Sequence, residues 1–221
     1  MTLSAAGAPR RTKPLLRGAI HELAFALAVS AGVLLVAAAR GPVAKAGCAL
    51  YAASLAGLLG ISALYHRPMW PDRIRIWLRR VDHSAIFVLI AGTYTPLALT
   101  LPAPLDRQML VLAWAGAALG VTRAVFWPRA PRWVSAGLAL LLGWISVAYL
   151  PAVHAATSGS VTALLAVGGA LYSLGAVAYA LRRPDPWPRV FGYHEVFHAL
   201  VVLAAACHFA AIVKTLPVLA A

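Results

Sequence analysis

The fold of this chain is decided by the stretch Phe191-Gly192-Tyr193-His194-Glu195-Val196-Phe197-His198 and by the apolar run 199–213 that follows it. Two histidines four residues apart lie on the same side of a helix, about one turn from each other. Here the pair stands where a membrane-spanning helix begins. Because imidazoles near lipid are costly to bury without partners, a pair at this depth predicts a functional site, and a shared metal ion is the partner we favour.

The composition around this stretch is that of a polytopic membrane protein. Of the 221 residues, 62% are hydrophobic and only 11% are charged, which lies far outside the averages of soluble domains. Seven apolar runs of roughly 18 to 23 residues each reach the length needed to cross hydrocarbon. We therefore predict an all-α, seven-transmembrane helix bundle over residues 17–221, preceded by a basic, disordered tail over residues 1–16. The predicted spans are 20–39, 44–65, 83–101, 109–126, 133–152, 161–181 and 194–216.

The net charge of +13 indicates orientation in a membrane rather than binding to nucleic acid. When the connections between spans are numbered alternately, fifteen of the 19 lysine and arginine residues fall on one side. Because cytoplasmic loops carry an excess of basic residues, the bias predicts a multi-pass cell-membrane protein with its N-terminus in the cytoplasm and its C-terminus outside. The fifteen residues are Arg10, Arg11, Lys13, Arg17, Arg67, Arg73, Arg75, Arg79, Arg80, Arg123, Arg129, Arg132, Arg182, Arg183 and Arg189.

Three histidines from two predicted spans match the pattern of a catalytic zinc site. His66 ends the second run and is predicted to lie at the depth of His194 and His198, which begin the seventh. A catalytic zinc ion has three protein ligands and an open position for water, whose pKa it lowers toward neutrality. Asp82, at the start of the third run, could hold or deprotonate that water. Ser62, one helical turn before His66, could orient a ligand or the substrate carbonyl. Histidine ligands also suit several other divalent metals.

The same histidine pair leaves a second class of enzyme open. The residues from His194 to His198 spell the HExxH motif of zincins, in which Glu195 would be the general base. An intramembrane protease is then a rival interpretation. We find no convincing distant acidic ligand in the sequence to complete such a site.

The sequence leaves two alternatives open for each of two further features, and it predicts a purely structural role for a third. His21 and Glu22, at the start of the first run, are either interfacial polar residues or support for the metal site. The basic segment 72–81 is either a short helix lying on the inner leaflet or a plain loop. His208 lies about 15 Å further along its helix than His198, too far to share an ion, and is expected to hydrogen-bond between helices.

Three motifs, in this order along the chain, resemble the hemolysin III family, which belongs with the progestin and adiponectin receptors. The resemblance covers nearly the whole chain, from about Arg17 onward. The motifs are Ser62-Ala63-Leu64-Tyr65-His66, then Val81-Asp82-His83-Ser84-Ala85-Ile86-Phe87 with Ala91-Gly92-Thr93-Tyr94-Thr95-Pro96, then Phe191-Gly192-Tyr193-His194-Glu195-Val196-Phe197-His198 with His208-Phe209.

The resemblance implies a function as well as a fold. It implies zinc bound by His66, His194 and His198, with Asp82 near the metal-bound water and Ser62 adjacent. The receptor relatives resemble alkaline ceramidases in their site, so the implied chemistry is hydrolysis of a lipid amide, whereas the family name suggests a lytic protein. Because the predicted tail is short, we expect no sizeable N-terminal partner domain of the receptor kind.

The sequence therefore predicts a zinc-dependent integral membrane hydrolase that cleaves an amide bond of a membrane lipid, with Zn²⁺ as its cofactor. The rival is a non-enzymatic, hemolysin-like or receptor-like membrane protein in which a structural zinc ion holds the helix ends together.

Overall fold

Helices account for every regular element of the computed structural model, which describes residues 13–220. The all-α prediction is confirmed over this range. Of the predicted tail, residues 1–12 lie outside the described residues. The helices are α1 (Ala19–Ala38), α2 (Pro42–His66), α3 (Asp72–Ala98), α4 (Leu105–Phe126), α5 (Arg132–Trp144), α6 (Leu150–Ala156), α7 (Gly159–Leu181) and α8 (Tyr193–Leu219).

Within the described residues, six helical segments are long and apolar enough to cross a membrane. They are α1, α2, α4, the continuous segment Arg132–Ala156, α7 and α8. Each has at least the 20 or so residues that about 30 Å of hydrocarbon requires. The prediction of a multi-pass membrane protein is confirmed by these segments.

The third predicted span, 83–101, differs from the observed helix. Helix α3 begins at Asp72 and continues for 27 residues, so the segment 72–81 forms its first turns rather than a separate surface helix, and the loop interpretation is wrong. Helix α3 packs against α2 and α4, and also touches α5 and α8. All of residues 91–98 are buried. Because α3 is surrounded by protein at this end, it tolerates polar side chains that a lipid-facing helix would not.

The fifth predicted span contains a break in its helix. Helix α5 ends at Trp144, a 3₁₀ turn covers Ile145–Tyr149, and α6 follows. The hydroxyl of Tyr94, on α3, lies 2.9 Å from the carbonyl of Leu142 and also contacts that of Gly143. The backbone N–H of Ser146 donates to the same hydroxyl at 3.3 Å. A side chain from α3 thus satisfies backbone groups that the break leaves without α-helical partners.

The chain just before α1 is attached to the end of the bundle that carries His66 and His194. The backbone N–H groups of Leu15 and Leu16 donate to the carbonyls of Arg189 and Val190, at 3.0 and 3.2 Å. The ammonium group of Lys13 donates to the Pro68 carbonyl at 2.9 Å. This segment therefore joins the loop after α2 to the loop before α8.

Candidate metal centre

The ends of α2 and α8 bring three imidazoles together. His66 is the last residue of α2, and His194 and His198 lie in the first two turns of α8. The ring centroids are 4.7 Å apart for His66 and His194, 5.0 Å for His66 and His198, and 4.5 Å for His194 and His198. One ligand nitrogen from each ring lies within 4.8 Å of the other two. The three histidines are close enough to bind one metal ion.

The spacing of two of these nitrogens fits a tetrahedral ion. Nε2 of His66 and Nε2 of His194 are 3.3 Å apart. Two nitrogens at the usual zinc distance of about 2.0–2.1 Å lie about 3.3 Å apart in a tetrahedron. The hydrogen bonding of His198 also favours a bound ligand, because its Nδ1 is buried and has no hydrogen-bond partner among the described residues. Buried polar atoms are normally satisfied, so a ligand at this site would complete the set.

Asp82 and Ser62 lie beside this set of imidazoles. Oδ2 of Asp82 is 4.0 Å from Nε2 of His66, and the Ser62 side chain neighbours the Asp82 carboxylate. Both residues line the same cavity as the three histidines. All five residues selected from the sequence are therefore brought to one place, and at this distance the carboxylate is within reach of a water molecule shared with the imidazoles.

Glu195, the general base of the zincin interpretation, has other partners. Its Oε1 forms an ion pair with Arg17, and its Oε2 accepts the backbone N–H of Gly192 at 2.8 Å. In the second contact, the Glu195 side chain reaches back to the backbone of the N-cap residue Gly192 at the start of α8, which fixes the turn that carries His194. Glu195 is 1% exposed and is not among the residues that line the cavity. In this geometry, the carboxylate holds the helix end and does not face the imidazoles.

His21 and Glu22 have different environments although they are neighbours in the sequence. Glu22 is exposed and pairs with Arg67, with 2.8 Å between its Oε2 and the arginine Nε, as an interfacial residue would. His21 is 3% exposed, and its ring centroid lies 3.9 Å from that of His198. Neither of its ring nitrogens has a hydrogen-bond partner among the described residues. His21 therefore belongs to the site, as a ring packed against a candidate ligand.

Gly18 allows the start of α1 to approach His66. Its φ is +82°, a left-handed conformation that non-glycine residues rarely adopt. A Cβ atom added there would lie 3.0 Å from Cβ of His66. A larger residue at this position would be strained and would push α1 away from the imidazoles.

A cavity of about 1130 Å³ extends from the imidazoles into the bundle. Its walls are largely apolar, with Ile86, Leu97 and Leu165 among them. The volume exceeds the range of roughly 300–1,000 Å³ that is usual for small-molecule sites. The cavity is large enough to hold much of a long-chain amphiphile.

His208 marks the far part of this cavity. Its Nε2 lies 3.3 Å from the carbonyl of Leu165, on α7, so the predicted hydrogen bond between helices is confirmed. Its ring meets the ring of Tyr172 edge-on at 5.3 Å. Gly168 makes room for it, because a side chain there would overlap the imidazole. The distant histidine has partners of its own and takes no part in the three-histidine set.

Seven basic residues line the cavity. A charge bias that orients the protein in a membrane needs basic residues in the loops and does not need them in a cavity. One acidic residue, Asp82, lies among them. Arg123 falls within the predicted span 109–126, and an arginine inside an apolar run is itself a sign of a functional group. In the sequence it counted only toward the charge bias. The basic lining residues are Lys13, Arg17, Arg75, Arg79, Arg123, Arg132 and Arg182.

Comparison with known proteins places this chain in a family. A sequence model described as haemolysin-III related matches residues 10–209. The chain is 30% identical over 195 residues to hemolysin-3 of Bacillus cereus, covering 86% of this chain and 85% of that protein. It is 35% identical over 133 residues to a hemolysin-3 homolog of Bacillus subtilis, where the match spans 60% of each chain.

A human protein is also similar. It is the monocyte to macrophage differentiation factor, which is 28% identical over 177 residues, or 76% of this chain and 69% of the human one. The resemblance seen in the three motifs is confirmed by these matches.

Proposed function

This chain belongs to the haemolysin III-related family, and we propose that it is a zinc-dependent membrane hydrolase that cleaves an amide bond of a lipid. The observation that carries the proposal is the set of three imidazoles with a carboxylate beside them, lining a largely apolar cavity. Family membership supports the assignment of the site residues, which rests on the motifs quoted from the sequence.

We assign the metal to His66, His194 and His198. The 3.3 Å between two of their nitrogens suits a tetrahedral ion. The Nδ1 of His198, which has no partner within residues 13–220, is consistent with rings that turn toward a ligand. When bound there, zinc supplies a Lewis acid for a carbonyl group and lowers the pKa of a coordinated water. An ion would also offset part of the cost of burying imidazoles at this depth.

The chain's own residues do the rest of the chemistry in this proposal. Asp82, 4.0 Å from His66, accepts the proton of the attacking water and returns it to the leaving amine. Ser62 orients the carboxylate or the substrate carbonyl. The apolar walls hold the acyl chain and keep bulk water from the reacting bond, which strengthens the electrostatic interactions inside.

We further propose that seven segments cross the membrane, with α3 as the seventh beside the six apolar ones. The N-terminus then lies in the cytoplasm, as the bias of basic residues requires. In this arrangement, the metal centre lies at the cytoplasmic end of the bundle. A tag placed after residue 221 should be accessible only from outside the cell, and a tag before residue 1 only from inside.

Hydrolysis of a fluorescent ceramide by the purified full-length protein in neutral-lipid nanodiscs tests the activity. We expect turnover by the wild type, its loss with a zinc chelator and its return when zinc is added back. His66→Ala, His194→Ala and Asp82→Ala should each lose turnover. His154→Ala, which removes an exposed histidine of α6 outside the cavity, should retain it. Full turnover in all three site variants would sink the mechanism.

The position of the imidazoles at helix ends favours one alternative function. His66 ends α2 and His194 begins α8, so an ion there would also clamp the two helices, as a structural zinc does in a receptor-like or hemolysin-like protein. Chelation should then lower the unfolding temperature without any hydrolysis being detectable. Leakage of liposomes that persists in His66→Ala and His194→Ala would favour a lytic function over hydrolysis.

A further inference from the structure

Three arginines from three different helices line the cavity. Arg79 lies on α3, Arg123 in the last turn of α4 and Arg132 at the start of α5, and all three line the cavity. His83, one helical turn after Arg79 on α3, is within range of all three charges. Like charges gathered in this way repel one another, and an anion among them would relieve that repulsion.

None of the three guanidinium groups has a carboxylate partner among residues 13–220. Arg123 donates to the hydroxyl of Ser135, and its Nε and Nη1 are buried without an acceptor. Arg132 donates to the hydroxyl of Tyr193 at 2.6 Å and lies 5.3 Å from the ring of Tyr179. A buried charged donor without an acceptor costs far more than an exposed one, so the site calls for an acceptor from a ligand.

Among the described residues, none of the six acidic side chains, which include Asp72 at the exposed start of α3, forms an ion pair with these three arginines. Glu22 and Glu195 form ion pairs with other arginines. Asp185 accepts a backbone N–H at the start of α8, and Asp106 lies in the first turn of α4, at the opposite end of that helix from Arg123. Asp82 alone lines the cavity, and it lies beside the imidazoles. Among residues 13–220, no carboxylate at ion-pair distance balances these three charges, and an anion bound in the cavity would do so.

We propose that Arg79, Arg123 and Arg132 form a subsite for an oxyanion, a phosphate or a carboxylate, carried by the headgroup of the lipid that occupies the cavity. The lipid-amide identity of this ligand rests on the function proposed above. Guanidinium groups bind such oxyanions through paired N–H donors, with more directional specificity than an ammonium group offers. The subsite makes anionic lipid amides better ligands than neutral ones such as ceramide, which the metal centre and the apolar walls hold without it.

The position of the subsite suits a ligand that also reaches the metal centre. The ring of Tyr179, which Arg132 covers, is 5.8 Å from the ring of His194. An amphiphile with its anion at the arginines and its chain between the apolar walls has its linking region beside the imidazoles. This places the bond to be cut between a charged anchor and an apolar one, and such anchoring contributes to catalysis by orientation.

The subsite is tested with a pair of amphiphiles that differ in the anion and contain no amide bond. Binding of tetradecyl phosphate and of tetradecanol is measured by thermophoresis on the full-length protein in neutral-lipid nanodiscs. We expect the phosphate to bind at least about tenfold more tightly, since hydrogen bonds to charged groups are worth about that factor or more. Equal affinities for the two amphiphiles would overturn the proposal.

Variants then locate the preference. Arg123→Gln and Arg79→Gln should each weaken binding of tetradecyl phosphate by about tenfold and leave binding of tetradecanol unchanged. Arg107→Gln, which removes an exposed arginine at the other end of α4, is the matched control and should change neither. Two variants on separate helices guard against a single misfolded protein. Loss of affinity for both amphiphiles in Arg123→Gln and Arg79→Gln alike would contradict a specific anion subsite.

Inorganic phosphate separates a lipid headgroup from a free anion. We expect millimolar phosphate to compete weakly, because it lacks the chain that the apolar walls bind. If free phosphate binds as tightly as tetradecyl phosphate and depends on the same arginines, the assignment to a lipid headgroup is wrong. Failure of the hydrolase would appear in metal content and ceramide turnover, and neither enters this binding experiment.

Discussion

His198 and His208 lie on the same helix and line the same cavity, but their surroundings differ. The ring of His208 bonds to the Leu165 carbonyl and packs against an aromatic edge. His198 lies against three other imidazoles and has a buried Nδ1 without a partner among the described residues. The comparison teaches that a core histidine is completed by its own protein, whereas a candidate ligand is left incomplete.

The two ends of the cavity also differ in how many of their buried polar atoms have hydrogen-bond partners. Among residues 13–220, eight buried side-chain atoms lack a hydrogen-bond partner, and five of them belong to His21, His198 and Arg123. All three residues line the cavity near the metal centre or the arginine subsite. Because native proteins rarely leave such atoms unpaired, their concentration at one end marks where bound groups complete the structure.

Exchanging His198 and His208 for alanine, one at a time, should produce the largest contrast. His198→Ala should lower ceramide turnover by more than the roughly 100-fold that loss of an outer-sphere partner costs, because it removes a ligand. His208→Ala should retain turnover per folded molecule and lower the free energy of unfolding by about 1–3 kcal/mol, since a hydrogen bond and ring packing are lost. Equal losses of turnover in the two variants would erase the distinction.

Asp82→Asn should have the next largest effect. The amide keeps the size of the side chain but cannot accept a proton, so turnover should fall by about 10²–10⁴-fold. The metal should remain, because the three imidazoles are unchanged, and elemental analysis checks this on the same sample. Wild-type turnover in this variant would remove Asp82 from the mechanism.

His21 offers a smaller change at the same end of the cavity. His21→Ala removes the ring that packs 3.9 Å from His198 and should weaken zinc affinity by about 10–100-fold, the usual cost of losing outer-sphere support. His21→Phe keeps the stacked ring and should lie closer to wild type. Competition with a chelator of known affinity measures both. Unchanged affinity in His21→Ala would show that the ring contributes only packing.

The ion pair between Arg17 and Glu195 should matter for stability more than for chemistry. Arg17→Ala leaves a carboxylate that is 1% exposed without its cation, and should cost about 2 kcal/mol of unfolding free energy. This is below the ~3–5 kcal/mol of a fully buried pair, because the Arg17 side chain is 20% exposed.

Glu195→Gln tests the zincin interpretation through the same pair. It should keep the metal and lose less than about tenfold in turnover, well short of the effect of a general base. A loss of 10³-fold or more with the metal retained, which is the size a general base contributes, would instead make Glu195 the general base.

The sequence was sufficient for features that depend on local spacing. The apolar runs predicted the six long helices because span length follows from bilayer thickness. The four-residue spacing of His194 and His198 predicted a shared helix face. His66 could be added because the spans alternate in direction, which puts the end of the second run and the start of the seventh on the same side of the membrane. This inference needs only the order of the spans.

Other features depend on contacts between distant parts of the chain. The break after Trp144 is stabilised by the hydroxyl of Tyr94, about fifty residues earlier, and no local pattern reports this. Burial of His21 results from packing of α1 against α8. In the sequence, Arg123 is one of fifteen basic residues that predict the orientation in the membrane. That it lines the cavity is seen only in the fold.

Elemental analysis of the purified wild type beside His198→Ala and His208→Ala tests most directly whether three imidazoles from the ends of α2 and α8 hold a single ion. We expect about one zinc per chain in the wild type and in His208→Ala, and almost none in His198→Ala. Equal metal content in all three proteins, or none in the wild type after purification in zinc-supplemented buffer, would contradict the metal centre.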